Sequence, residues 1–89
     1  MQKHDVVVRN PHGLHARAAA RVSQIASGFS ASIVLLANGK RANAKSLLAV
    51  MILAASMGTR ISIETRGPDE VEAMQAVARL IDGRLGEPL

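Results

Sequence analysis

Residues 30–43, SASIVLLANGKRAN, contain the strongest local folding signal in the chain. A run of β-branched and aliphatic side chains leads into Asn38-Gly39, and the four residues KRAN follow it. Both Asn38 and Gly39 tolerate the positive φ angles that a two-residue type I′ turn requires. The sequence therefore predicts a β-hairpin, which supplies the second and third strands of a sheet.

Two further segments have the composition of strands. Residues 4–9 are rich in valine and are followed by the turn-forming run Asn-Pro-His-Gly. Residues 60–66 alternate apolar and polar side chains, which is the period of a strand with one face in water. We therefore predict four strands and a sheet that is covered on one side.

Three segments have the spacing of helices, and a glycine follows each of them within two residues. The predicted spans are 16–27, 46–56 and 68–82, with Ser46 as the N-cap of the second and Pro68 as the first helical residue of the third. Asp69 and Glu70 suit the positive end of the third helix. The predicted apolar stripes are Ala18, Val22, Ile25 and Ala26 in the first helix and Val71, Met74, Val77, Ala78 and Ile81 in the third.

The resulting order of elements is βαββαβα. Three helices on one face of a four-stranded, mainly antiparallel sheet make a two-layer open-faced sandwich of the α+β class. With 89 residues the chain can build one modest core. We therefore predict a single domain over residues 1–89.

Composition excludes several classes of function. Phe29 is the only aromatic residue, so stacking on nucleic acid bases is nearly excluded. The chain has no cysteine for disulfides or thiolate zinc sites, and its longest apolar run, residues 47–55, is too short to span a membrane. The formal net charge of +4 favours acidic partners. We expect a cytoplasmic protein without nucleic acid binding or membrane insertion.

The candidate site lies in Gly13-Leu14-His15-Ala16-Arg17, where a loop is predicted to become a helix. If Ala16 is the first helical residue, His15 is the N-cap, beside backbone N–H groups that have no partner within the helix. Arg17 and Arg21 share one helical face, where like charges repel by about 0.2 to 0.5 kcal/mol. An anion bound at this site would neutralise the positive charges of both arginines. The pattern thus indicates an anion beside a histidine, whereas a lone histidine in a loop is more often simply solvated.

The residues do not indicate an independent enzyme. Most carboxylates lie in the last third of the chain, and we predict neither a metal site nor a cofactor. The sequence shows no Ser/His/Asp arrangement and no glycine-rich nucleotide loop. We interpret His4 and His12 as solvated residues without a partner. Any phosphoryl group on His15 would therefore come from another protein.

The second predicted helix is apolar on every side, although one face of a helix on a sheet must meet water. Its exposed face is expected to be a docking surface formed by Leu47, Leu48 and Met51. The alternative is that an alanine-rich helix looks apolar without having a partner.

The motifs GLHARAA, NGKRANAKSLLAVMILAASMG and GPDEVEAM closely resemble HPr, the histidine-containing phosphocarrier family of the bacterial phosphoenolpyruvate-dependent phosphotransferase system. The resemblance runs nearly end to end. It implies that His15 accepts phosphate on a ring nitrogen from phospho-enzyme I and passes it to EIIA-type acceptors, while Arg17 steadies the phosphoryl group.

The same resemblance extends to other positions. Ser46 matches the serine phosphorylated by HPr kinase/phosphorylase in bacteria that have that enzyme. Leu47, Leu48 and Met51 match the family's apolar docking surface, and Arg21 is expected to join it. The chain departs from the family pattern HARPA at Ala18, where alanine replaces proline and restores a backbone N–H. The helix start is then expected to be less rigid.

Three alternatives to a sugar-uptake phosphocarrier are open from the sequence. The chain could be a paralogue devoted to nitrogen-linked regulation, or a binding module of the same fold that carries no phosphate. A small RNA-binding α/β domain would fit the positive charge, but the chain lacks stacking aromatics and a GxxG clamp.

Overall fold

The computed structural model describes residues 1–86 and confirms the order βαββαβα. A short 3₁₀ turn, Arg84–Gly86, follows the last helix. The elements are β1 Gln2–Val7, α1 Ala16–Ser27, β2 Ser32–Ala37, β3 Lys40–Asn43, α2 Leu47–Ile52, β4 Arg60–Arg66 and α3 Glu70–Asp82.

The four strands form one sheet in the order β1-β4-β2-β3, and every neighbouring pair is antiparallel. Side chains alternate across it: in β4, Ile61 and Ile63 are fully buried, whereas Arg60, the first residue of the strand, is exposed. The helices cover the buried face, so the predicted open-faced sandwich is confirmed. The core is aliphatic and alanine-rich, as the composition requires.

The hairpin turn has the predicted backbone, with φ of 53° at Asn38 and 72° at Gly39. Side chains of the hairpin also form hydrogen bonds with residues that are distant in the sequence. Asn38 Nδ2 donates to the carbonyl oxygen of Leu53 at 3.0 Å, and Lys40 Nζ donates to that of Ile52 at 3.1 Å. Both acceptors belong to the end of α2, whose last carbonyls have no partner within the helix. The hairpin therefore caps α2.

Helix α2 is shorter than predicted and ends at Ile52, not near Ser56. Ala54 has a φ of 53°, which a right-handed helix cannot contain. The hydrogen bonds from Asn38 and Lys40 of the hairpin stabilise the end of the helix at that point. The periodicity of residues 46–56 could not reveal them, because they come from a different element.

The other boundaries differ by a few residues. Strand β1 covers Gln2–Val7 in place of residues 4–9, although Val8 still bonds to the backbone of Gly58 and Thr59. Pro68 is not the first residue of α3, because that helix begins at Glu70. The carboxylate of Asp69 does not cap α3 but accepts the N–H groups of Ser30 and Ala31, which precede β2.

Two residues assigned to the apolar stripes are wrong. Ile25 of α1 is 41% exposed and Val71 of α3 is 45% exposed. Ala19 and Ala73 are fully buried instead. The face that each helix turns to the core is thus rotated toward an alanine, Ala19 in α1 and Ala73 in α3. The small side chain of alanine lets the helix backbone approach the rest of the core closely. Hydrophobicity alone ranks isoleucine and valine above alanine and so predicts the wrong buried face.

Candidate functional site

The loop in front of α1 is fixed by its own backbone and by Asn10. The Asn10 side chain is fully buried, and its Nδ2 donates to the carbonyl oxygen of Gly13 at 2.7 Å. The N–H of Gly13 donates back to the carbonyl oxygen of Asn10 at 3.1 Å. These two bonds close the turn Asn-Pro-His-Gly, so the two histidines at residues 12 and 15 leave from a defined backbone.

Gly13 also holds this turn against the segment after α2. Its φ is 61°, in the left-handed region that glycine adopts most readily, and a Cβ would overlap the carbonyl oxygen of Ala55. The next residue, Leu14, donates its N–H to that same oxygen at 2.8 Å. The start of α1 therefore packs directly on residues 55 and 56, which follow α2.

His15 is the N-cap of α1, as predicted. Its backbone is extended, with φ −70° and ψ 178°, and its carbonyl accepts the N–H of Ala19 at 2.8 Å. The N–H groups of residues 16–18 precede that bond and have no acceptor within the helix. The half-exposed imidazole makes no capping hydrogen bond to them. Because the first turn of α1 has no acidic residue, these amides remain suited to an anion.

The position of Ala18 follows from the same geometry. It lies in the first turn, and its methyl group is fully buried in the core. Its N–H is one of the three that precede the first bond within the helix. Where the resemblance predicts a proline, Ala18 thus adds an N–H donor at the N-terminal end of the helix.

The two arginines of α1 differ in their surroundings. Arg17 is exposed in the first turn, next to His15. Arg21 is partly buried, and its Nη1 donates to the carbonyl oxygen of Leu85 at 2.6 Å. One turn further along α1, it ties the helix to the C-terminal segment. Arg17 is consequently the better placed of the two to contact a group on His15.

His12 is a residue whose place the sequence interpretation missed. The ring centroids of His12 and His15 are 5.8 Å apart, and the planes are nearly perpendicular, at 86°. The predicted exposure of His12 is confirmed, but the prediction that it has no partner is wrong. The available signal was the spacing of three residues across a turn that contains Gly13, which brings the two side chains to the same end of the loop.

Ser46 lies at the start of α2 as its N-cap, as predicted. Its backbone is extended, and its Oγ accepts the N–H of Ala49 at 3.3 Å. The serine is half-buried. The preceding residue, Lys45, is fixed at both ends, since its Nζ donates to the carbonyl oxygen of Phe29 and its own carbonyl accepts the hydroxyl of Ser23.

Helix α2 exposes an apolar patch, which we define as Leu47, Leu48, Met51 and Ile52. Their exposed fractions are 43%, 66%, 38% and 57%, whereas Val50 between them is fully buried. The prediction that Leu47, Leu48 and Met51 are exposed is confirmed, and Ile52 was not foreseen. Helices α1 and α2 lie side by side and antiparallel, because Ser23 bonds to Lys45 and Leu14 bonds to Ala55. The C-terminal end of α2, which carries Met51 and Ile52 of the patch, therefore lies at the same end of the helix pair as the His15 loop.

Residues 1–86 contain no group of three or more histidine, cysteine, aspartate or glutamate side chains that could hold a metal ion. Over the same residues, no helix is long and apolar enough to cross a bilayer.

The pattern of residues and the fold both match a known family. A family model described as "PTS HPr component phosphorylation site" matches residues 2–83. The phosphocarrier protein HPr of Cupriavidus necator is 45% identical over 87 residues, which are 98% of this chain and 98% of that protein. The chain belongs to the HPr family.

Further HPr proteins agree in sequence and in fold. HPr of Xylella fastidiosa is also 45% identical over 87 residues, with 98% of each chain covered. The crystal structure of HPr from Thermoanaerobacter tengcongensis superposes with a TM-score of 0.94 at 39% identity and covers 100% of both chains. HPr proteins are phosphocarriers of the phosphotransferase system, and they are carriers rather than catalysts.

Proposed function

We propose that this chain accepts a phosphoryl group on a ring nitrogen of His15 from phospho-enzyme I and passes it to EIIA-type acceptors in the cytoplasm. The observation that carries the proposal is the position of His15. Its imidazole is accessible at the N-cap of a 12-residue helix whose first N–H groups have no intrahelical acceptor. The family model that covers this residue is itself described by a phosphorylation site.

Each transfer is a substitution at phosphorus. A ring nitrogen of His15 donates its lone pair to the phosphorus atom, while the bond between phosphorus and the donor atom of enzyme I breaks and its electron pair returns to that donor. The second transfer reverses these roles, with His15 as the leaving group. The chain is phosphorylated and dephosphorylated as a covalent co-substrate of the phosphotransferases. It catalyses no reaction without them.

Arg17 and the start of α1 would stabilise the phosphoryl oxygens. A phosphoryl group carries about two negative charges near neutral pH. The amides of residues 16–18 supply aligned donors, and the exposed Arg17 guanidinium can form charge-assisted hydrogen bonds, which are about twice as strong as neutral ones. Together these groups favour a phosphoryl group on His15 over one on His4, which lies in the middle of β1.

The partner enzymes would dock on the apolar patch and on the exposed Arg17, with Arg21, whose guanidinium bonds to Leu85, as a further docking residue. Met51 and Ile52 of the patch lie at the same end of the helix pair as His15, so one partner surface can cover both. An acidic surface on the partner would match the arginines. The apolar contacts would supply affinity in the centre of the interface.

Ser46 is proposed as a regulatory phosphorylation site for HPr kinase/phosphorylase in bacteria that have it. Its hydroxyl begins the helix that carries the apolar patch, and it is accessible in part. A phosphate there would add about 1.5 to 2 negative charges at the rim of the docking surface. The charge would repel the acidic partner expected above.

The decisive experiment is incubation with phosphoenolpyruvate and a bacterial enzyme I. We expect one phosphoryl group per chain, in an acid-labile linkage, and none on the His15→Ala variant. His4→Ala is the matched control, because it also removes an exposed histidine, and it should be phosphorylated in full. A stable, full-yield adduct on the His15→Ala variant would refute the proposal.

A further inference from the structure

His12 lies beside the phosphorylation site, yet the transfer proposed above assigns it no part. Its side chain is exposed, and its ring centroid is 5.8 Å from that of His15. A phosphoryl oxygen and one hydrogen bond of about 2.8 Å together span a gap of this size. The ring of His12 can therefore reach a group carried by His15.

This proximity follows from the backbone of the loop. Asn10 and Gly13 close the turn by two hydrogen bonds, and Leu14 anchors it to Ala55. His12 and His15 flank the anchored pair Gly13-Leu14. Both side chains leave the same rigid segment, so only rotation about side-chain bonds is needed to bring a nitrogen of His12 to a phosphoryl oxygen.

Phosphorylation of His15 would place about two negative charges beside the ring of His12. The charged residues of α1 are Arg17 and Arg21, and β1 is followed by Arg9, which pairs with Asp82 at 3.1 Å. The segment 53–58 that packs on Gly13 has no charged side chain. Before phosphorylation a proton on His12 adds to a positive surface. Afterwards it faces about two negative charges.

We infer that His12 is a second phosphoryl-contacting residue: it takes up a proton when His15 is phosphorylated and donates a hydrogen bond to the phosphoryl group. This inference rests on the proposed function of His15. Because histidine gains and loses its proton near neutral pH, the contact makes the phosphorylated state more favourable on the acidic side of neutrality than on the basic side.

The direct test is NMR of the imidazole nitrogens at a constant pH of about 7.5, before and after phosphorylation with phosphoenolpyruvate and enzyme I. We expect the ring resonances of His12 to move toward those of a protonated imidazole when His15 is phosphorylated. The resonances of His4, which lies in the middle of β1, should stay in place and serve as the internal control. A structural role for His12 alone would not produce this shift.

Variants provide the second readout, the equilibrium constant for phosphorylation by enzyme I. His12→Asn should lower it by about three- to tenfold at about pH 6.5 and change it little at about pH 8.5. His12→Lys keeps a positive charge and should retain the favourable value at both pH values. His4→Asn is the matched control and should behave like the parent chain.

The two hypotheses fail in different ways. If His15 is phosphorylated but the resonances of His12 do not move and His12→Asn has the parental equilibrium constant, His12 does not contact the phosphoryl group. If no phosphoryl group reaches His15 at all, the proposed function is wrong, and this inference is overturned with it.

Discussion

The imidazole of His15 extends from the residue that caps α1, so a group attached to it lies next to the amides of the first helical turn. His4 has the same ring without this neighbourhood, since its backbone is paired in a strand with Ile63. At the scale of single residues, the surrounding backbone distinguishes the proposed phosphoryl acceptor from an ordinary exposed histidine. Arg17, exposed in the first turn of α1, adds a side-chain cation next to His15.

Arg17→Ala should slow phosphoryl transfer from enzyme I by about ten- to a hundredfold, since hydrogen bonds to charged groups contribute about 1.5 to 3 kcal/mol. The melting temperature should hardly change, because the side chain is exposed. Rapid-quench kinetics and calorimetry measure the two effects. Arg60→Ala removes an exposed arginine from β4 and should leave transfer unaltered. Equal transfer rates for the Arg17→Ala and Arg60→Ala variants would contradict a role for Arg17.

At the scale of elements, the six residues of α2 contribute both to the core and to the exposed apolar patch. Its inner side buries Val50, and its outer side exposes the apolar patch. The antiparallel contact with α1 brings Met51 and Ile52 of that patch to the same end of the helix pair as the His15 loop. In the proposed function, chemistry and recognition are thus supplied by different elements, α1 with its preceding loop and α2.

Met51→Asp should weaken binding of enzyme I by at least about tenfold, because an apolar side chain of this size contributes about 1.5 to 3 kcal/mol when it is buried in an interface. The domain should stay folded, since Met51 is 38% exposed. Calorimetric titration gives the affinity, and circular dichroism tests the fold. The matched control is Val71→Asp, at an exposed apolar position of α3. Loss of affinity in both variants, or unfolding of the Met51→Asp variant, would argue against the patch as the docking surface.

Ser46→Asp should fold at least as stably as Ser46→Ala, because aspartate retains an N-cap acceptor for the N–H of Ala49, whereas alanine loses about 1 kcal/mol of capping. We nevertheless expect the aspartate variant to accept phosphate from enzyme I much more slowly, since its charge lies at the rim of the apolar patch. Transfer rates of the two variants, measured side by side, check this. Equal rates would remove the basis for a switch at Ser46.

At the scale of the whole molecule, Asp69 connects the start of α3 to the segment before β2. Hydrogen bonds from the backbone, first that of Ser30 and also that of Ala31, hold the pKa of its carboxyl below the usual value of 3.8. A lowered folded-state pKa stabilises the protein above the unfolded value, and this contribution is lost as the pH falls through the folded value. The free energy of unfolding should therefore decrease below about pH 4.

Asp69→Asn should reduce this acid-side dependence, because the amide cannot lose a proton. Urea unfolding between about pH 2.5 and about pH 7 measures the effect. Stability of the parent chain should exceed that of the variant at neutral pH, and the difference should become smaller toward acid. A difference that is constant across the range would show that the carboxylate does not stabilise the fold through its charge.

Much of this architecture was accessible from sequence because the decisive signals are local. The Asn38-Gly39 turn, the alternation along β4 and the N-cap positions of His15 and Ser46 all depend on neighbours within a few residues. The early end of α2 and the bonds of Asp69 to residues before β2 depend on distant segments, so periodicity could not reveal them. The meeting of His12 with His15 depends on a turn geometry that Asn10 and Gly13 impose jointly.

The bonds from Asn38 and Lys40 to the end of α2 have a consequence for genetics. These residues belong to a hairpin turn, yet they determine where the helix with the apolar patch stops and how its last carbonyls are oriented. A random-mutagenesis screen for chains that no longer recognise enzyme I would consequently recover changes in this turn, even though no partner needs to touch it. Mapping such hits onto the surface would enlarge the apparent footprint of the partner beyond its true contacts.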